Sequence, residues 1–262
     1  MTAGRPLEGR RVVVTRGLEK ADRLPGLLED AGATVARIPL ITPVAVAGGA
    51  EIAAAIQRLG RREGRSGARP WLVLTSETAA AMVADAAGAA GLRGVALAVV
   101  GPATAAALGT WGFKADLVAT GQEAASLAAE LAALDVRGTR MLVVAASGGR
   151  DVVAPVLRQA GARVEVLEVY RTVMPDGAGD QLRAEFARGP VDAVTFTSGS
   201  TVRHFATALP DPPRCAAVCV GPVTAQAARD AGWERVVTAD EHTSAGVVAA
   251  MIDHLSGAHP LP

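Results

Sequence analysis

Short apolar runs alternate along this chain with longer stretches that carry apolar residues on one helical face. Val12-Val13-Val14, Leu72-Val73-Leu74, Met141-Leu142-Val143-Val144 and Val194-Thr195-Phe196 are each too short for a buried helix. Each is followed by a small-residue turn, which predicts a strand. The segments after the turns are Ala- and Leu-rich and predict amphipathic helices. Strands that alternate with helices in this way predict parallel sheets covered on both faces, an α/β fold. Two segments break the rhythm: Arg37-Ile38-Pro39-Leu40-Ile41-Thr42-Pro43 and Glu165 to Pro175 read as extended connections. Gly60 to Pro70 is rich in Arg and Gly and reads as a surface loop.

The pattern repeats itself. Val99-Val100-Gly101-Pro102-Ala103-Thr104-Ala105 returns as Cys219-Val220-Gly221-Pro222-Val223-Thr224-Ala225, and both copies run on to a Gly plus an aromatic, Gly112-Phe113 and Gly232-Trp233. Leu72 to Ser76 matches Val194 to Ser198. Val12 to Arg16, with Ala31-Gly32-Ala33-Thr34-Val35 behind it, resembles Met141 to Ala145, with Ala160-Gly161-Ala162-Arg163-Val164 behind it. The helix from Glu123 to Leu131 resembles that from Ser244 to Met251. Four pairs in one order point to duplication, so two similar lobes are expected.

The repeated turns carry the candidate chemistry. Pro102 and Pro222 suit the first position of a helix, where a missing N–H costs nothing. Ser76 and Ser198 suit its cap. Helix starts of this kind direct free N–H groups and partial positive charge beyond the strand ends, where open α/β sheets bind ligands and where anions are favoured.

Composition narrows the field. Half of the residues are hydrophobic but only 3% are aromatic, so the core must be built from Ala, Val and Leu. The 26 basic and 26 acidic residues balance, which gives no support to a general nucleic-acid or anionic-membrane binder. Cys215 and Cys219 stand four apart in an apolar run. They make no disulfide framework and no zinc spacing, and predict buried packing in a reducing cytoplasm. The uncharged stretch Gly94 to Phe113 is long enough to cross a bilayer. Gly101-Pro102 at its centre instead splits it into a strand and a helix. Met1 to Arg11 has no apolar run after its charges and does not read as a signal peptide.

The ordered set of motifs resembles the uroporphyrinogen-III synthase family. It comprises Val14-Thr15-Arg16, Ile38-Pro39-Leu40-Ile41, Leu74-Thr75-Ser76 and Val100-Gly101-Pro102-Ala103-Thr104. Val169-Tyr170-Arg171-Thr172, Phe196-Thr197-Ser198-Gly199-Ser200 and Val220-Gly221-Pro222-Val223-Thr224 complete it. The resemblance spans about residues 10–255. Glu77-Thr78 depart from it, standing where the family often has Asn-Gly.

The resemblance implies two flavodoxin-like lobes that are not the two halves of the sequence. Residues 1–39 with 174–262 form one lobe and 43–170 the other, joined by a two-stranded linker near 38–43 and 168–175. It implies that hydroxymethylbilane, a linear tetrapyrrole with eight carboxylates, is cyclised to uroporphyrinogen III in heme and cobalamin biosynthesis. Ring D is inverted through a spiro intermediate and water is lost. No cofactor and no metal are implied, and a cytoplasmic monomer is expected. Some members carry a further enzyme or a DNA-binding domain. The chain ends soon after the last repeat, which predicts neither.

Carboxylate binding is expected at the helix-start turns, from Thr15, Arg16, Ser76, Thr104, Ser198, Ser200 and Thr224. Each hydroxyl can equally cap its helix. Arg16 suits a bidentate carboxylate contact or a surface salt bridge. Tyr170, the sole tyrosine, is placed by the resemblance beside the cleft, where its hydroxyl could assist the departing hydroxyl group as a general acid, or simply pack as a linker residue. His204 and His242 read as ordinary solvated or satisfied side chains. The competing functions are a non-catalytic two-lobed binder of a small acidic ligand and a nucleotide-dependent α/β enzyme. No G-x-G-x-x-G or P-loop motif supports the latter, and Ser147-Gly148-Gly149-Arg150 reads as a plain turn.

Overall fold

A computed structural model describes residues 4–17, 23–61, 68–88, 91–121, 123–149 and 151–257. Most of the loop expected at Gly60–Pro70, namely residues 62–67, and the end of the turn expected at 147–150 lie outside the described residues.

Among the described residues the elements run in chain order as β1 (Arg11–Val14), α1 (Leu24–Asp30), β2 (Thr34–Arg37), β3 (Thr42–Ala45), α2 (Gly49–Gly60), β4 (Trp71–Leu74) and α3 (Glu77–Ala87). Then follow β5 (Ala96–Val99), α4 (Pro102–Gly109), β6 (Leu117–Val118), α5 (Ala124–Ala132), β7 (Arg140–Ala146), α6 (Val153–Gln159) and β8 (Arg163–Val173). The chain closes with α7 (Ala178–Ala187), β9 (Ala193–Phe196), α8 (Gly199–Ala208), β10 (Ala216–Cys219), α9 (Pro222–Asp230), β11 (Val236–Thr238) and α10 (Ser244–Gly257).

Two compact units emerge, 1–42 with 173–262 and 43–172. The first holds a five-stranded sheet in the order β11-β10-β9-β1-β2, parallel throughout. This is the flavodoxin-like order. The second holds a six-stranded sheet, β3-β8-β7-β4-β5-β6, in which β8, β7, β4, β5 and β6 are mutually parallel. Matching the repeats places β7 with β1, β8 with β2, β4 with β9, and β5 with β10. The two sheets therefore share one spatial order with a different starting point in the chain. β3 is the addition, lying beside β8 as an edge strand. Even the register is repeated. Arg11 pairs with Thr34 and Val14 with Arg37, just as Arg140 pairs with Arg163 and Val143 with Val166.

The glycines of the repeat have a shared physical reason. Gly32 and Gly161 follow α1 and α6 with φ of +104° and +91°, a conformation that costs other residues a Cβ clash. The turn it makes lets Ala33 and Ala162 bond back to the Leu28 and Leu157 carbonyls.

Each sheet packs an apolar layer on both faces, in keeping with the near-continuous apolar runs of its central strands. Gly94–Phe113 resolves into β5 and α4, and no helix among the described residues is long and apolar enough to cross a membrane. Cys215 and Cys219 both lie in the first unit's core, as free thiols. Burial pushes each up to about 12.

One buried position is out of keeping with its repeat partner. Thr195 is fully buried on β9, and among the described residues its hydroxyl has no hydrogen-bond partner. Its counterpart on β4 is Val73, equally buried. An unsatisfied buried hydroxyl is costly. Thr195→Val is therefore expected to stabilise the first unit by about 1 kcal/mol, read as a higher denaturation midpoint. An unchanged or lower midpoint would show that the hydroxyl is satisfied in solution.

Candidate functional site

The carboxyl ends of the parallel strands gather the repeated turns within each unit. In the first unit β9 leads into α8 and β10 into α9. Ser198 has extended backbone angles and its Oγ accepts the Thr201 N–H at 3.3 Å, the ordinary helix cap that its position predicts. The Thr201 hydroxyl returns a bond to the Ser198 carbonyl at 2.6 Å. Ser200, one residue into α8, receives Nη2 of Arg203 at 3.1 Å. Arg203 is a cation at this rim that motif reading missed. The signal was its i, i+3 spacing from Ser200.

Gly221 and Pro222 open α9, with Pro222 at the first helical position. The His242 ring lies over Gly221, its Nε2 2.8 Å from where a Cβ at 221 would stand, so a side chain there would push the imidazole aside. His242 is itself exposed.

Thr15 does not present its hydroxyl to solvent. It is fully buried at the end of β1 and donates to the Thr195 carbonyl at 2.6 Å. Thr104 and Thr224 are buried too, under the first turns of α4 and α9. What these three turns can offer a ligand is backbone N–H, with the hydroxyls turned inward. Arg16 is half-buried directly after Thr15.

In the second unit two of the residues singled out from the sequence meet. The Tyr170 hydroxyl donates to Ser76 Oγ at 3.0 Å, and the same oxygen caps α3 by accepting the Ala79 N–H at 3.1 Å. Ser76 Oγ thus accepts from two donors and keeps its own hydrogen for a third group. Tyr170 is 8% exposed and is held at both ends, because its carbonyl also accepts the Ser147 N–H at 2.7 Å. The sequence offered no local signal for this pair, since 94 residues separate them. Glu77, at the departure from the family pattern, is exposed in the first turn of α3.

Not every strand-end turn is open. After β6, the Glu130 carboxylate accepts the Thr120 N–H at 2.9 Å, the Thr120 hydroxyl at 2.8 Å and the Ser126 hydroxyl at 3.1 Å. These bonds, the Thr120 N–H foremost, hold it below the usual carboxylate range. The turn is already filled by an anion of the chain itself. Among the described residues no group of three His, Cys, Asp or Glu side chains is placed to hold a metal ion.

The fold and these rims define a duplicated α/β protein whose helix-start turns, at the ends of two parallel sheets, are suited to anionic groups. The family model described as uroporphyrinogen-III synthase HemD matches residues 22–249, and the chain belongs to the uroporphyrinogen-III synthase family. The porphyrin biosynthesis protein HemD of Ruminiclostridium josui is 28% identical over 96% of this chain, and the chain spans 49% of that protein's length. The uroporphyrinogen-III synthase of Synechococcus elongatus is 29% identical over 78% of the chain and 76% of its own. In fold, the chain is similar to a crystal structure of a mutant uroporphyrinogen III synthase from the extreme thermophile Thermus thermophilus. The TM-score is 0.64 at 22% identity, covering 95% of this chain and 100% of that one.

Proposed function

We propose that this protein is a uroporphyrinogen-III synthase, a lyase that converts hydroxymethylbilane to uroporphyrinogen III. The observation that carries the reading is the family match across residues 22–249, which takes in every candidate site residue except Thr15 and Arg16. The substrate needs little activation. Loss of the hydroxyl from its hydroxymethyl carbon leaves an electrophilic azafulvene. The far pyrrole attacks through its substituted carbon to give a spiro intermediate. That intermediate opens and recloses with ring D inverted, and one water is released overall. The competing uncatalysed closure gives the type I isomer, so the protein's main task is to hold the bilane in one geometry.

The proposed binding groups are Arg16, Ser76, Ser198 and Ser200 together with the backbone N–H groups beside Thr15, Thr104 and Thr224. Backbone donors at helix starts suit a ligand with eight carboxylates, since they bring positive potential without a mobile counter-charge. Tyr170, its O–H turned from Ser76 to the substrate, is the proposed donor to the departing hydroxyl group, which must take up a proton to leave as water. A monomer acting on a small molecule, without cofactor or metal and without nucleic-acid or membrane partners, completes the proposal.

The test is the isomer formed. Purified protein incubated with hydroxymethylbilane, followed by oxidation and chromatographic separation of the uroporphyrins, is expected to give type III. Type I alone, at the uncatalysed rate, would reject the synthase reading and favour a non-catalytic binder of acidic ligands.

A further inference from the structure

His204 is used by nothing described so far. It sits midway along α8, half-buried, with Nδ1 2.6 Å from the Leu40 carbonyl oxygen. A carbonyl oxygen only accepts, so Nδ1 carries the hydrogen and donates it. Leu40 is fully buried and stands beyond the end of β2, where no ladder reaches its carbonyl. On its other side the Leu40 N–H donates to the Thr15 carbonyl at 2.9 Å, and the Thr15 hydroxyl donates to the Thr195 carbonyl at 2.6 Å. One chain of hydrogen bonds thus runs from His204 through residue 40 to the ends of β1 and β9.

The internal repeat shows why a side chain is needed there. By the repeat, Leu40 corresponds to Val169 and His204 to Met82. The Val169 carbonyl is met by backbone, accepting the N–H groups of Val46 at 2.9 Å and Ala47 at 3.3 Å, just past β3. Among the described residues β2 has no such neighbour, because it is the edge of its sheet. In the first unit the imidazole supplies the donor that the backbone following the added strand supplies in the second, and Met82 in the second unit has no such duty. The Pro39 beside it has no N–H of its own to contribute.

We propose that His204 is a positioning residue which, through the Leu40 carbonyl, holds residues 38–41 against β1 and so fixes the Thr15–Arg16 turn for the substrate's carboxylates. This rests on the synthase reading for its kinetic consequence but not for its structural one. The imidazole touches no reacting atom in this scheme. Its loss leaves the Leu40 carbonyl without a donor among the described residues, lets the segment move, and relaxes the turn that presents Arg16.

The experiment compares His204→Ala and His204→Leu, which lack the donor, with His204→Asn, whose amide nitrogen can occupy the place of Nδ1. His204→Leu keeps the bulk should the alanine variant fold poorly. Hydrogen–deuterium exchange of the Leu40 amide in intact protein is expected to quicken about ten-fold in the donor-less variants and to recover in His204→Asn, the scale of one neutral hydrogen bond. In the cyclisation assay the donor-less variants are expected to raise KM about ten-fold with kcat within about two-fold, and His204→Asn to recover most of it. A lower Tm with unchanged KM would overturn positioning and leave His204 as a packing residue. Unchanged exchange at Leu40, or no recovery with asparagine, would overturn the hydrogen bond as its means. Wild-type protein that forms only the type I isomer would reject the synthase reading separately, and the exchange measurement would then decide whether His204 holds the turn.

Discussion

Tyr170→Phe is expected to lower kcat for type III formation about 100-fold, the lower end of what a positioned general acid contributes, with KM nearly unchanged. The substitution removes one oxygen from a ring that is otherwise packed in the second unit's core. It also removes the donor to Ser76, but the Ser76 cap on the Ala79 N–H remains, so helix α3 keeps its start. Stability should therefore move little, by about 1 kcal/mol, the usual worth of a single hydrogen bond. The two readouts separate chemistry from folding. Ser76→Ala provides the control: it removes the cap as well, at about 1 kcal/mol, and deprives Tyr170 of its partner. Full turnover by Tyr170→Phe would take the phenol out of the mechanism and leave the turn donors to act alone.

Phe205→Ala should cost the first unit about 3–5 kcal/mol. Phe205 is fully buried on α8 and lies at the centre of a small aromatic cluster. Its ring centroid is 5.9 Å from that of Phe186, 5.5 Å from Phe196 and 5.3 Å from Trp233. The Phe186 and Phe196 contacts are edge-to-face, the arrangement that adds attraction beyond area burial. The chain has four Phe, three Trp and one Tyr, so half of its aromatics are spent on this one group. Around it the core is Ala, Val, Ile, Leu and Cys, and such short or rigid side chains have little reach to refill a void of this size. Since whole domains are stable by about 5–15 kcal/mol, the loss brings the first unit close to its threshold. Denaturant titration followed by tryptophan emission would report it through Trp233, which touches the void directly. Phe205→Leu retains more of the volume and is expected to cost about half as much. Equal and small losses for both would show that the cluster collapses onto the gap.

The parts of the candidate site legible in the sequence are the ones built from neighbours in the chain. Ser76 and Ser198 reach N–H groups three residues on, and Pro102 and Pro222 start helices because of their own rings. Such interactions close within one turn, so their residue pattern is their cause. The inward turn of Thr15 was not legible. A threonine that ends a strand looks the same in sequence whether its hydroxyl faces a ligand or, as here, a buried carbonyl on the next strand. Arg203 was passed over for the opposite reason. A lone arginine on a helix becomes a rim residue only when its side chain folds back on Ser200.

The strand–turn–helix rhythm, its duplication, and the capped turns at which each helix begins all follow from the order of residues along the chain. Periodicity and capping are local, and each is set by residues within a few positions of one another. Long-range packing placed β1 between β2 and β9, with Val14 opposite both Arg37 and Thr195. It alone brought Tyr170 to Ser76 and His204 to Leu40, across 94 and 164 residues. Those contacts depend on which apolar faces find each other in the packed chain. A hydrophobic face is non-directional and names no partner, so the pairing is settled by the sum of the packing and by the strand order it imposes.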